Sequence, residues 1–156
     1  MFTVDIPGRG RLEIAYLVLD LNGTLALDGV VPAEVLERLQ ALSNEVQVHV
    51  ITAETVGTAA KLHGLDMLVH VLPPGDQVEA KAALVRALGA AHTMAVGNGS
   101  NDEDMVREAA VGIAIVGHEG ACARTVFAAN VVVGRIEDAL DLLLIPKRLI
   151  ATLRTR

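Results

Sequence analysis

The chain has 156 residues, 52% hydrophobic but only 2% aromatic, so a single domain over 1–156 must pack its core from Ala, Val, Leu and Ile. A net charge of −6 argues against the basic face of a nucleic-acid binder, and the lone Cys122 excludes an internal disulfide or a cysteine metal cluster. Mean hydropathy is +0.46, yet no apolar run approaches the ~20 residues of a membrane span, and no basic-then-apolar leader is visible. The expectation is a soluble cytoplasmic domain with no membrane or nucleic-acid partner.

Phe2–Ile6 and Arg11–Ile14 flank Pro7-Gly8-Arg9-Gly10 and predict a small N-terminal β-hairpin. The unbroken apolar run Ala15–Leu19 predicts a buried parallel strand ending in Asp20-Leu21-Asn22-Gly23-Thr24. Asp28-Gly29 between apolar residues predicts a tight hairpin turn. Pro32 then opens a helix at its first position, with Val35, Leu36, Leu39 and Leu42 as the apolar face. Val46–Ile51 is a strand closed by Thr52, and Thr55–His63 a helix closed by Gly64. Met67–Leu72 is a strand stopped by Pro73-Pro74-Gly75. Asp76, with Glu79 three residues on, caps a helix that carries Lys81 and ends near Gly89. His92–Val96 is a strand running into Gly97-Asn98-Gly99-Ser100-Asn101-Asp102, and a helix follows to about Ala110. Val111–Val116 and Val131–Val133 are strands with a helix over Ala121–Ala129 between them; Ile136–Leu144 and Pro146 to about Arg154 are helical. Strands alternating with helices predict an α/β, doubly wound, Rossmann-like parallel sheet of about six strands.

In such a sheet the residues just past the strand ends share one edge, where open α/β folds bind ligands. Asp20, Thr24, Thr52, Asn98 and Asp102 fall there, and Lys81 lies early on a helix leaving it. Paired carboxylates at 20 and 102 can hold a hard cation such as Mg²⁺ through oxygen. A hydroxyl and an ammonium, from Thr52 and Lys81, can hold phosphoryl oxygens. The plainer readings are an Asx turn at Asp20–Thr24, helix caps at Thr52 and Asp102, and a solvated lysine; four such coincidences in this order are harder to accept than one site.

The order and spacing resemble the haloacid dehalogenase (HAD) superfamily of phosphatases and phosphotransferases. Its Asp-x-Asp-Gly-Thr motif reads Asp20-Leu-Asn-Gly-Thr here, and its strand-end Ser/Thr, its Lys and its Gly-Asp-Gly-x-x-Asp read Thr52, Lys81 and Gly97-Asn-Gly-Ser-Asn-Asp102. The Gly-x-Gly-x-Asn-Asp form is most similar to P-type ATPase catalytic domains and the phosphoserine-phosphatase-like branch, suggesting a capless, soluble P-type ATPase-like member. The resemblance implies that Asp20 is the nucleophile of an aspartyl-phosphate intermediate. It implies Mg²⁺ held by Asp20, the main-chain carbonyl of Asn22, Asn98 and Asp102. The phosphoryl group would meet Gly23, Thr24, Thr52, Ala53, Lys81, Ser100 and Asn101.

Two positions depart from the pattern. Asn22 replaces the general acid/base, and an amide cannot exchange a proton near neutral pH; loss of such a group costs ~10²–10⁴ in rate. Asn98 replaces an aspartate that commonly ligates the metal. Three readings follow: an enzyme restricted to good leaving groups such as ATP or acyl phosphates, a non-catalytic phosphate- or metal-binding regulatory module, and a receiver-like domain. The last is ranked lowest, because the strand before Asp20 offers no further acidic residue.

No large cap domain fits between the motifs, so the site should be open to a phosphorylated small molecule, a nucleotide, a protein substrate or a second subunit of a homo-oligomer. His49, His63, His70, His92 and His118 are scattered without metal-ligand spacing. His118-Glu119 falls on a loop at the functional edge, where an ordinary surface turn is the simpler explanation. Cys122 is expected on an apolar helix, buried and inert.

Overall fold

The computed structural model describes residues 1–53, 57, 62 and 66–156. The helix expected over Thr55–His63, with its closing Gly64, otherwise lies outside the described residues. Phe2–Ile6 (β1) and Gly10–Ile14 (β2) pair antiparallel, from Phe2↔Ile14 to Ile6↔Gly10. Phe2, Val4 and Ile6 alternate inward to join the core, as a half-buried strand requires.

The main sheet contains Tyr16–Asp20 (β3), Gln47–Thr52 (β4), Leu68–Val71 (β5), Thr93–Gly97 (β6), Val111–Ile115 (β7) and Val131–Val133 (β8). Its order is β5-β4-β3-β6-β7-β8, with every pair parallel. Leu17, Val18 and Leu19 of β3 are fully buried, which explains their lack of alternation: a central parallel strand is apolar on both faces. The helices are Ala33–Leu42 (α1), Gln77–Leu88 (α2), Glu103–Glu108 (α3), Ala123–Ala128 (α4), Ile136–Leu144 (α5) and Pro146–Leu153 (α6). α1 packs on α5, joined by Arg38 Nε to Asp141 Oδ1 at 2.9 Å. α2, α3 and α4 form the other layer, over a second apolar cluster around Val18, Ile51, Val85 and Met105. No described helix is long and apolar enough to cross a membrane.

The α/β sheet and hairpin are as expected, and four local details differ. Pro32 stands at the N-cap in an extended conformation, so α1 begins one residue later than its sequence implies. His92 ends a 3₁₀ turn before β6 rather than opening the strand, and its ring reaches Glu13 O at 3.1 Å. The helix after β6 starts as a 3₁₀ turn, Ser100–Asp102, because the Asp102 carboxylate folds back on its own loop. Cys122 is the half-buried N-cap of α4, not a buried helical residue.

Candidate functional site

Chain order reverses between β3 and β6, which opens a crevice beyond their C-terminal ends. Asp20 closes β3, and Asn98 follows β6 directly. Lys81 comes from the second turn of α2, whose N-terminus Asp76 caps by accepting from Glu79 N–H at 3.1 Å. Its Nζ donates to Asp20 Oδ1 and to Asp102 Oδ1, both at 2.8 Å. The lysine is only 2% exposed and Asp102 is fully buried.

Asp102 is anchored on its other oxygen as well. Oδ2 accepts the N–H groups of Asn98 and Gly99, each at 3.0 Å. Gly97 makes room for it: a Cβ there would sit 2.5 Å from the Asp102 Cγ. Both Asp102 oxygens are turned into the protein, so it positions Lys81 and the Asn98 loop. Asp20 and Asn98 stand at their strand ends beside the crevice, with Asn22 exposed two residues after Asp20.

Thr24 Oγ1 lies 3.3 Å from Asp20 Oδ2 and 3.4 Å from Asn98 Oδ1, bridging the two strand ends. Asn98 Nδ2 donates to Gly120 O at 3.3 Å, which fixes which way its amide points. Thr52 is buried at the end of β4, one residue past the Asp20–Ile51 pair, with Ala53 exposed after it. Asn22 and Ser100 are exposed at the mouth. Asn101 points its Nδ2 to Gln77 Oε1 at 3.0 Å, toward the start of α2. The loop is held from below by Thr125, which donates to Gly99 O at 2.7 Å. Among the described residues no buried side-chain nitrogen or oxygen lacks a partner.

Burial pushes the Asp20 carboxyl up to about 6; the charge of Asp102 adds to this, and Lys81 opposes it. Burial also works against the Lys81 ammonium, but the charges of Asp102 and then Asp20 outweigh it and hold the lysine above its ordinary value. By formal charge the cluster is one ammonium and two carboxylates. Beside it runs an open cleft of about 540 Å³, bordered by Gly23, Thr24, Leu27, His118, Arg135 and Glu137.

Two features exceed the expected set. The turn after β7 folds back so that Glu119 lies over Gly23. And His49 and His70, on neighbouring strands β4 and β5, stack with 2.8 Å between His49 Nδ1 and His70 Nε2. Gln47 Oε1 lies 2.8 Å from His49 Nε2. With that amide oxygen accepting, neutral His49 donates from Nε2 and accepts the His70 Nε2–H at Nδ1. Burial lowers His49 to about 4, with His70 adding, and burial lowers His70 as well. Their 21-residue separation hides the pair; only the β4–β5 register, Ile51↔His70, brings them together.

The fold resembles that of solved structures described as HAD-superfamily hydrolases and phosphatases. The chain is similar to the 3-deoxy-D-manno-octulosonate 8-phosphate phosphatase of Moraxella catarrhalis, solved with magnesium, phosphate and KDO. That match has a TM-score of 0.70 and 20% identity, over 90% of this chain and 94% of that one. A Legionella pneumophila protein assigned to HAD subfamily III A has a TM-score of 0.71 at 18% identity, over 90% and 87%. The cobalt-bound octulosonate 8-phosphate phosphatase of Haemophilus influenzae has a TM-score of 0.68 at 16% identity, over 85% and 88%. In sequence, an uncharacterised protein of Methanocaldococcus jannaschii is 49% identical over 61 residues, which are 39% of this chain. The chain thus spans 66% of that curated relative's length. No protein-family model matches the chain.

Proposed function

We propose that this chain is a Mg²⁺-dependent phosphohydrolase or phosphotransferase acting through an aspartyl-phosphate on Asp20. The observation that carries the reading is Lys81, buried and equidistant at 2.8 Å from Asp20 and Asp102. Burying three ionised groups is costly and seldom stabilises a fold, so their retention at a ligand-binding edge points to chemistry.

The residues fit the cation. Among the described residues no three Asp, Glu, His or Cys side chains converge as a metal cage. The oxygen donors at the strand ends are Asp20, the Asn22 carbonyl and the Asn98 amide, with Asp102 behind them, and Mg²⁺ is commonly held by one or two carboxylates with water and substrate phosphate. When bound, the ion supplies charge neutralisation for the phosphoryl oxygens. The remaining work falls to the chain. Lys81, with Thr52, holds phosphoryl oxygens. Asp20 Oδ attacks phosphorus as the bond to the leaving oxygen breaks, and that oxygen keeps the electron pair. Water then attacks phosphorus and loses a proton to solvent, while the bond to Asp20 breaks and its carboxylate returns.

Neither step receives a proton service from residue 22, so the chemistry favours leaving groups that depart as stable anions: nucleoside triphosphates and acyl phosphates. That preference, with the Gly-x-Gly-x-Asn-Asp form, supports the P-type ATPase-like branch of the resemblance. The open cleft suits a phosphorylated small molecule, a nucleotide or a protein segment. A second reading, a phosphate- or metal-binding module without turnover, is favoured by the two amides at 22 and 98.

The test is phosphate release from ATP, acetyl phosphate and p-nitrophenyl phosphate, with and without Mg²⁺, beside Asp20→Asn, with intact-mass detection of a phosphoryl adduct. Mg²⁺-dependent release that vanishes in Asp20→Asn is expected. Ligand-induced thermal stabilisation without release or adduct would instead identify the binding module.

A further inference from the structure

The turn Gly117–Gly120 is docked onto the candidate site. Gly120 N–H donates to Gly117 O at 3.0 Å, Gly120 O accepts from Asn98 Nδ2 at 3.3 Å, and Cys122 N–H donates to Asn98 O at 2.8 Å. These bonds hold the backbone of the turn that carries His118 and Glu119 against the Asn98 loop. Gly23 has φ +79°, and the point where its Cβ would stand lies 2.0 Å from Glu119 Oε2 and 2.9 and 3.2 Å from the two side-chain heteroatoms of Asn98. The Glu119 carboxylate and the Asn98 amide therefore flank the same glycine, directly after the Asn22 carbonyl. Among the described residues Glu119 has no hydrogen-bond or ion-pair partner. Glu119 is exposed and shares the Gly23–Asn98 corner with the strand ends that carry Asp20. A divalent cation held at those strand ends would be attracted by its charge.

We propose that Glu119 supplies the second negative charge of the divalent-cation site formed with Asp20, the Asn98 amide oxygen and the Asn22 carbonyl, in place of the charge that Asn98 lacks. This rests on the cation site of the proposed function. Asp102 is neutralised by Lys81, so Asp20 alone would leave the site one charge short of balancing a divalent ion. Glu119 restores that charge from a different strand end. It acts on the ion directly or through its retained water, and in either case its charge, not its shape, matters.

Mn²⁺ is the probe, its affinity read by titration calorimetry or from the spin-resonance signal of free ion, on the full chain with inorganic phosphate present. Glu119→Gln should weaken Mn²⁺ binding about tenfold or more while leaving the melting temperature in EDTA unchanged. Glu119→Asp should keep most of the affinity, and adding Asn98→Asp to Glu119→Gln should recover it. Asp20→Asn should lose it. Wild-type affinity in Glu119→Gln, with Asp20→Asn defective, overturns the role of Glu119 and leaves the site reading standing. Equal losses in Glu119→Asp and Glu119→Gln overturn the charge argument, whatever their melting temperatures. Absence of Mn²⁺ binding in the wild type, or binding that Asp20→Asn does not alter, overturns the cation site itself. The phosphate-release assay reports separately on the proposed activity.

Discussion

Two polar clusters lie against the same layer of the sheet, one buried and one running from buried His49 to half-buried His70 and exposed Gln47, and they handle burial differently. At the strand ends Lys81 joins Asp20 and Asp102, three ionised groups in contact. Further back, His49, His70 and Gln47 form a chain with no net charge. Among the described residues no buried side-chain nitrogen or oxygen of either cluster lacks a partner. Only the first keeps formal charge out of water, where each ion costs several kcal/mol and attraction repays it imperfectly. The histidine chain needs no function to explain its cost. The ionic cluster does, and it is also the cluster that faces a crevice.

Substitutions can break this contrast. The largest effect should come from Asp20→Asn, which is expected to reduce phosphate release to the level of a protein-free blank. Because it also removes a buried charge, its urea midpoint should not fall; a large loss of stability would mean that Asp20 is structural. Lys81→Met should destabilise by about 3–5 kcal/mol, since it leaves two carboxylates buried together without their cation. Equilibrium unfolding measures this, and an unchanged midpoint would show that the ammonium does not hold the pair. Asn22→Asp should raise turnover on alkyl phosphates by ~10²-fold, the low end of what a general acid/base contributes, with a smaller gain on acyl phosphates. A folded, Mg²⁺-binding Asn22→Asp protein without any gain would remove position 22 from the chemistry.

The smallest effect sharpens the other side of the comparison. His49 is held neutral down to about pH 4, whereas the unfolded chain takes up its proton near 6.5. The unfolded state therefore binds more protons between these values. The contribution is fully present above pH 6.5 and is lost as the pH falls from 6.5 toward 4. His49→Gln should flatten the urea midpoint over that interval. An identical slope in wild type and variant would locate acid sensitivity elsewhere.

The alternation of apolar runs with capped helices made the parallel sheet legible, since buried central strands leave a continuous hydrophobic signature. Asp20, Lys81 and Asp102 were legible as neighbours because the fold sends strand ends to one edge. Their division of labour was not. That Asp102 spends one oxygen on two backbone N–H groups goes with the 3₁₀ turn Ser100–Asp102 ahead of α3, which no helical pattern announces. Glu119 was visible only as a loop residue at the right edge; its placement over Gly23 needs the turn to fold back on Asn98. The histidine pair needed strand register, which no local pattern contains. Pro32 moved out of α1 because an extended N-cap conformation suits its fixed φ as well as a first helical turn does.

The grip on Asn98 also bears on how the protein ages. Asn22-Gly23 and Asn98-Gly99 are both of the pair type that deamidates most readily, through attack of the following backbone nitrogen on the side-chain amide. Both following nitrogens are hydrogen-bonded, Gly23 N–H to Ala26 O and Gly99 N–H to Asp102, but Asn98 is also buried and its amide is tied to Gly120. Asn22 is exposed at the mouth. Stored protein should therefore gain its +1 Da species at position 22 well before position 98, as peptide mapping can locate. Where that product is aspartate, elapsed time installs the acid that the gene omits, and turnover on alkyl phosphates should climb with the age of the sample.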